Sequence, residues 1–293
     1  MAHVHFLTFG DGSPAYRAAV ARIMRQAKDV RLFKSARGYT LRCLRTDFPA
    51  FWRDHGAFIT ANSRGCGYWL WKPFLIRERL TAIPDGDFLI YADCGCEIHV
   101  DAAADIIGLL PSQAGQDLLA YNGTSDLGYR GDGHLIRDWT NAYTLDRIDT
   151  ARDFLDNSQI WAGLLYLRNS ARTRMLAERW FELAAQEDGA LIVDRPKENE
   201  LPDFIEHRHD QAILSILVYA LEKSSGLDVC FRNYPEAYGL SATAPIRGSR
   251  NRTGVSWIAA QRTPAERARL WLGEMSRRLC VRSILKRRSG YTP

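Results

Sequence analysis

Apolar positions along this chain recur with two periods, and each period predicts a different element. Val4–Phe9 is a short apolar run that ends at the turn signal Gly10-Asp11-Gly12, which predicts a first β-strand. Pro14 suits the first turn of a helix, and Ala15–Ala27 continues it. Asp29–Ser35 reads as a second strand, running out at Lys34–Gly38. Phe48–Ile59 has helical spacing, as does Phe74–Thr81 after Pro73. Phe88-Leu-Ile-Tyr-Ala92 is apolar at every position, the pattern of a central strand covered on both faces. Tyr121–His134 is polar and glycine-rich and reads as a loop. Ile160–Leu167 is a further buried strand, and Asn169-Ser170 caps a helix in which Leu176, Trp180, Leu183 and Ala184 share one face. Glu187–Glu206 is a long acidic loop broken by Pro196 and Pro202, a length that usually carries function. Asp210 opens a last helix with Ile213, Leu214, Leu217, Ala220 and Leu221 on one face. Strands alternating with helices predict an α/β fold around a mixed, mostly parallel central sheet.

Composition adds little to this pattern, but charge divides the chain. No linker splits the 293 residues, so one catalytic domain over residues 1–259 is the simplest organisation. The net charge is +5, yet the segment from Arg262 to the end holds nine Lys or Arg and two Glu, leaving the rest at −2. The basic character therefore belongs to a C-terminal tail, residues 260–293, and no nucleic-acid partner is expected of the body. In Thr263–Arg288, arginine clusters alternate with Leu272, Met275, Leu279 and Leu285, a basic amphipathic helical pattern suited to peripheral contact with anionic membrane. A solvated helix docked on the body, or a nucleic-acid contact by the tail, fits the same pattern. No apolar run reaches the roughly 18 residues that span a bilayer, and Met1–Leu7 reads as a strand instead of a leader, so a cytoplasmic location is expected, at most peripheral at the inner face of the membrane. The six scattered cysteines are expected to be thiols.

Candidate chemistry concentrates at the ends of the apolar runs. Asp93 follows the central strand directly and opens the turn Asp93-Cys-Gly-Cys-Glu97. Ligands of open α/β sheets bind outside the carboxyl ends of such strands, and a carboxylate there can hold Mg²⁺ or Mn²⁺ against a diphosphate. An Asp that only closes its own turn fits as well. Arg64 and Lys72 flank a glycine- and aromatic-rich segment and are candidate phosphate partners, or else surface charges. Among Tyr68, Trp69 and Trp71, the candidates for stacking on a base or sugar are Tyr68 and Trp71, although aromatics at this density commonly build a core. Asp210 is a good helix cap by residue type, and it follows His207, Arg208 and His209 in a run of polar donors.

Three segments in order carry a resemblance. They are Gly67-Tyr-Trp-Leu-Trp-Lys72-Pro with Gly86-Asp-Phe-Leu-Ile-Tyr-Ala-Asp93-Cys-Gly-Cys-Glu97, then Gln159-Ile-Trp-Ala-Gly163-Leu-Leu-Tyr-Leu-Arg-Asn169, then His209-Asp210-Gln211-Ala-Ile-Leu-Ser215. Together they resemble the GT-A glycosyltransferases of the nucleotide-diphospho-sugar transferase superfamily, in particular the glycogenin-like and lipopolysaccharide galactosyltransferase-like families. The resemblance implies a GT-A type fold and transfer of a sugar, from a UDP-sugar by preference, to a glycan or glycolipid hydroxyl in surface polysaccharide or lipopolysaccharide synthesis. It implies Thr8 and Asp11 at the nucleoside, and Gly163, His207 and His209 at the nucleotide-sugar. Asp210 and Gln211 would lie beside the transferred sugar as the catalytic pair. It also implies a divalent cation, Mn²⁺ or Mg²⁺, on an Asp-x-Asp motif. Here the second Asp is Gly95, so Asp93 and Glu97 are the metal ligands on offer.

Two alternatives stay open. Gly10-Asp11-Gly12 loosely fits a dinucleotide-binding turn, with Lys34 and Arg37 placed for the 2′-phosphate of NADP, which would make the chain an oxidoreductase. A non-catalytic glycan- or membrane-binding protein on a transferase scaffold is the other.

Overall fold

The computed structural model describes residues 2–111, 115–123, 134–197, 199–233, 237 and 244–258. The basic tail and the boundary near residue 259 lie outside them. In chain order the elements are β1 (Val4–Phe9), α1 (Pro14–Asp29), β2 (Ser35–Tyr39), α2 (Leu41–Asp47), α3 (Pro49–Ala61), α4 (Gly65–Tyr68), α5 (Trp71–Ala82), β3 (Phe88–Ala92), β4 (Glu97–Ile98) and α6 (Ala103–Gly108). They continue with β5 (Leu118–Asn122), α7 (Ile136–Trp139), α8 (Ala142–Arg147), β6 (Ile160–Arg168), α9 (Ala171–Gly189), α10 (Asp210–Ser225), β7 (Val229–Asn233) and β8 (Ile246–Arg247).

Six strands form one sheet in the order β2-β1-β3-β6-β5-β7, and β4 pairs with β8 in a separate ribbon. β1 is parallel to both β2 and β3, and β5 is parallel to β7. Only β6 runs against its neighbours β3 and β5. The sheet is therefore mixed and mostly parallel, as expected. Alternation along the strands splits the core. Leu7, Phe9, Leu89 and Tyr91 face the layer built by α5, α9 and α10, while Phe6, Phe88, Ile90 and Ala92 face a smaller cluster that includes Ile23 of α1 and Ile106 of α6.

Several elements differ from expectation, each for a tertiary reason. The helix α1 runs on through Asp29, and the second strand is Ser35–Tyr39 instead of Asp29–Ser35. That strand carries no apolar alternation, and it is a strand because its backbone pairs with β1 from His5↔Ser35 to Phe9↔Tyr39. β5 occupies the start of the stretch read as loop, held between β6 and β7. The right-handed part of α9 stops before Gln186, where Gln186–Asp188 leave helical dihedrals.

Candidate functional site

The carboxyl ends of β1 and β3, the start of β6 and the start of α10 converge on one cleft of about 630 Å³, a size typical of small-molecule sites. β6 runs antiparallel to β3, so its first residues lie beside Asp93, whose amide donates to the Gly163 carbonyl at 2.9 Å. Gly163 is the residue type this position requires: an added Cβ would sit 2.4 Å from Nε1 of Trp161, whose indole lies across the strand and lines the cleft.

At the floor, α5 aims Lys72 inward. Its side chain is 4% exposed, and its ammonium lies 3.1 Å from Asp210 Oδ2 and 3.5 Å from Asp93 Oδ1. Burial alone would lower the lysine pKa, but Asp210 and Asp93 outweigh it and hold the pKa above its ordinary value, so the ammonium stays charged. Asp210 is the first residue of α10 and is buried; burial pushes its carboxyl up to about 6 against the pull of Lys72. Asp93 is more open, at 39%, and its Oδ1 also accepts from the Tyr91 hydroxyl at 2.5 Å. Burial and Asp93 push the Tyr91 phenol well above its usual range, so it remains a donor.

One wall is a turn of unusual hand. Gly65, Cys66, Gly67, Tyr68 and Trp69 all have positive φ, from 48° to 86°. This left-handed turn, α4, is disfavoured for every non-glycine residue in it by roughly 1–2 kcal/mol. Backbone strain of this kind concentrates at ligand sites. The turn ties Arg64 and the Tyr68 hydroxyl to Asp194 of the long loop, at 2.9 and 3.2 Å. It also packs the Trp69 ring against His209, with centroids 5.3 Å apart. His209 itself sits at φ 54°, ψ −125°, another disfavoured backbone state. Its Nδ1 is 2.7 Å from the Ile192 carbonyl and so carries the proton; burial lowers its pKa to about 4, leaving Nε2 as an acceptor.

The structure gathers Asp11, Arg64, Trp71, Lys72 and Asp93 at this cleft, together with Gly163, His209, Asp210 and Gln211. Several of them are engaged in ways the sequence did not suggest. Asp11 accepts from Gly12 N, Leu41 N and Arg17, so its carboxylate braces the loop instead of presenting itself to a nucleoside. Trp71 is buried and stacked on Phe9 at 3.9 Å. Gln211 links α10 to β6 through Ala162 N and Gln159. Asp210 is not the helix cap; that position is His209, and the Asp210 carboxylate serves the Lys72 pair.

Four candidates do not line the cleft. Thr8 is fully buried within β1. Tyr68 packs against His209, with ring centroids 5.0 Å apart. His207 is a buried brace: its Nε2 is 2.9 Å from the Leu191 carbonyl, its Nδ1 accepts from Asn141 N, and burial lowers its pKa to about 3. Glu97 is fully buried and turned toward the C-terminal segment, where its Oε1 accepts from Trp257 N at 2.8 Å and Ser256 Oγ at 3.0 Å. Burial would raise its pKa, but those bonds, Ser249 and Arg22 keep it low.

The metal pair Asp93–Glu97 therefore does not form. Glu97 is committed elsewhere, Asp93 Oδ1 is shared between a phenol and an ammonium, and no three His, Cys, Asp or Glu among the described residues gather as a ligand set. Asp93 and Glu97 together therefore do not fit as the two protein ligands of a divalent cation at this turn. Nor do Lys34 and Arg37 line the cleft, so the contact on which an NADP reading depended is absent from it.

Sequence reasoning missed the most distant contributors. Tyr16 and Trp161 line the cleft beside Trp69 and Arg208 of the segments already singled out, and so do Gly248, Arg250 and Arg252, which return from the far end of the described chain. A glycine- and arginine-rich run, Gly248-Ser-Arg-Asn-Arg252, was the available signal, but nothing in the sequence tied it to Asp93.

No family model matches the chain, and no curated protein matches it. Among solved structures it is similar to a glycosyltransferase involved in the glycosylation of the major capsid of PBCV-1, at 7% identity over 79% of this chain and 81% of that one, with a TM-score of 0.40. It is also similar to mouse xyloside xylosyltransferase 1 in its apo form, at 13% identity over 81% and 86% of the two chains, with a TM-score of 0.37. No helix among the described residues is long and apolar enough to cross a membrane.

Proposed function

We propose that this chain is a glycosyltransferase that moves a sugar from a nucleoside-diphosphate donor to a hydroxyl acceptor. The observation that carries the reading is the buried Lys72 ammonium set between Asp210 and Asp93 in a cleft at the carboxyl ends of β1 and β3. Negative charge develops on the departing diphosphate, and the fixed Lys72 ammonium in a partly dry cleft stabilises that charge without reorganising. Asp210, held by Lys72, is the carboxylate placed for the sugar, where it accepts hydroxyl hydrogen bonds or faces positive charge at the anomeric carbon. Trp69 and Trp161 supply apolar walls of the kind that sugar and base faces pack against. A UDP-sugar donor, a glycan or glycolipid acceptor, and contact of the basic tail with anionic membrane belong to the same proposal on the strength of the motif resemblance.

The test is a panel of nucleotide sugars screened by thermal shift, since a ligand of the native state raises Tm. Donors that bind are then assayed for release of nucleoside diphosphate in the presence of hydroxyl acceptors. Lys72→Met should still fold and should lose transfer by at least a hundredfold, because the interaction with the leaving charge is made mainly in the transition state. A panel in which no nucleotide sugar or nucleoside diphosphate shifts Tm, while NADP does, would overturn the proposal.

A further inference from the structure

The end of the described chain crosses the turn that an Asp-x-Asp motif would use for a metal. At Gly95, where a second carboxylate would project, an added Cβ would lie 3.4 Å from the Cα of Arg250. The Gly95 carbonyl accepts from Asn251 N at 3.0 Å. The crossing segment is firmly held. Arg22, only 2% exposed, donates to the carbonyls of Cys94 and Cys96 on the turn and to those of Asn251 and Thr253 on the strap. Glu97 binds the strap from the other side at Ser256 and Trp257, and β8 pairs with β4 so that Arg247 faces Glu97. Asn251 is fully buried and folds the strap on itself, accepting from Thr253 N at 2.9 Å.

This strap delivers two guanidinium groups to the cleft. Arg250 and Arg252 are exposed, both line it, and Arg252 lies 5.2 Å above the ring of Tyr16. Arg250 is held at φ 51°, a state in which an arginine persists only because its surroundings impose it. Three further cations line it: Lys72 at 3.1 Å from Asp210, Arg64 at 2.9 Å from Asp194 and Arg208 at 3.0 Å from Glu206. A nucleoside diphosphate esterified at both ends carries one negative charge on each phosphoryl group, one for each guanidinium group that the strap brings. Guanidinium forks suit phosphoryl oxygens, which accept two parallel N–H bonds each.

We propose that the Gly248–Arg252 strap is the diphosphate-binding element of this site, with Arg250 and Arg252 standing where related chemistry would place a metal ion, so that donor binding does not depend on a divalent cation. The proposal rests on the nucleotide-donor reading above and is tested separately from it. Binding of UDP, uridine and inorganic pyrophosphate is measured by calorimetry with EDTA and, in parallel, with Mn²⁺. Measurements cover the full chain, R250Q/R252Q and the conservative R250K/R252K. Both arginines are exposed, so unchanged melting curves are expected for both variants. UDP should bind equally well in EDTA and in Mn²⁺. The glutamine pair should weaken UDP and pyrophosphate by about tenfold per arginine and flatten their salt dependence, the lysine pair should recover part of the loss, and uridine should be unaffected. UDP binding that appears only with Mn²⁺, or that survives R250Q/R252Q intact, overturns the strap. If UDP binds under no condition, the donor reading fails by itself and pyrophosphate decides the strap: binding lost in R250Q/R252Q upholds it, and binding retained or never present overturns it.

Discussion

The Lys72–Asp210 pair gives the sharpest test of how this site is held. Lys72→Met keeps the stem volume and removes the ammonium, and Asp210→Asn keeps the shape and removes the charge. At 3.1 Å, with an effective dielectric constant of about 20, the attraction between the two groups is about 5 kcal/mol. Burial offsets much of it: the Asp210 carboxyl still titrates at about 6 with Lys72 in place, above its ordinary 3.8. The sign follows from that direction. The folded protein binds the Asp210 proton more tightly than the unfolded chain does, so this group's contribution to stability is full below about pH 4. It falls between about pH 4 and 6, by about 3 kcal/mol at about 1.4 kcal/mol per unit, and is level above. Removing one partner of a buried pair costs about 3–5 kcal/mol, and removing both is much milder. At pH 8, therefore, each single variant should be destabilised by roughly 3 kcal/mol or more, while Lys72→Met/Asp210→Asn recovers most of the loss, for a coupling energy of about 5 kcal/mol. At pH 4.5 Asp210 is protonated in the wild type, and the coupling should shrink below about 1 kcal/mol. Urea unfolding of the four proteins at both pH values measures this, and titrations elsewhere in the chain cancel in the cycle. A coupling under about 0.5 kcal/mol at pH 8, or one that ignores pH, would refute the buried pair.

Two further outcomes follow from the same geometry. Gly67 has φ 86° and an added Cβ would fall 2.8 Å from the Ile59 backbone, whereas Gly86 has φ 84° and nothing within 4 Å; Gly67→Ala should cost about 2–5 kcal/mol and Gly86→Ala only about 1 by chemical denaturation, and equal costs would contradict the packing of the left-handed turn. His207 and His209 are held neutral by burial, at about 3 and about 4, so their contribution to stability is full above the unfolded value of about 6.5 and is lost as pH falls toward those figures; imidazole ¹⁵N shifts at pH 5 should report both rings neutral, and a protonated ring there would show the site open to water.

The legible part of this site is the part built by strong local patterns. Asp93 follows five consecutive apolar residues, and a strand so patterned is central wherever it folds, which puts its carboxyl end at the sheet's ligand edge. Asp210 follows a proline-broken loop and precedes an unbroken apolar face, so its place at a helix start was readable. Its job was not. Capping depends on φ and ψ at the residue before the helix, and here His209 takes that position while Asp210 turns to Lys72, 138 residues earlier in the chain. Glu97 does not join Asp93 for a comparable reason: three residues of turn swing it away from Asp93 and toward Ser256 and Trp257.

What the sequence determined alone is the class of the fold and the two chain positions where chemistry concentrates, because period and turn residues act within a few neighbours and need no distant partner. Tertiary structure decided everything that depends on meeting across the chain. β2 is a strand only by pairing with β1, and the left-handed sense of Gly65–Trp69 appears only where the turn packs against Ile59 and His209. The strap that brings Arg250 and Arg252 beside Asp93 is held by Arg22 through four carbonyls, contacts made by backbone atoms that every residue carries and that leave no mark in the order of side chains.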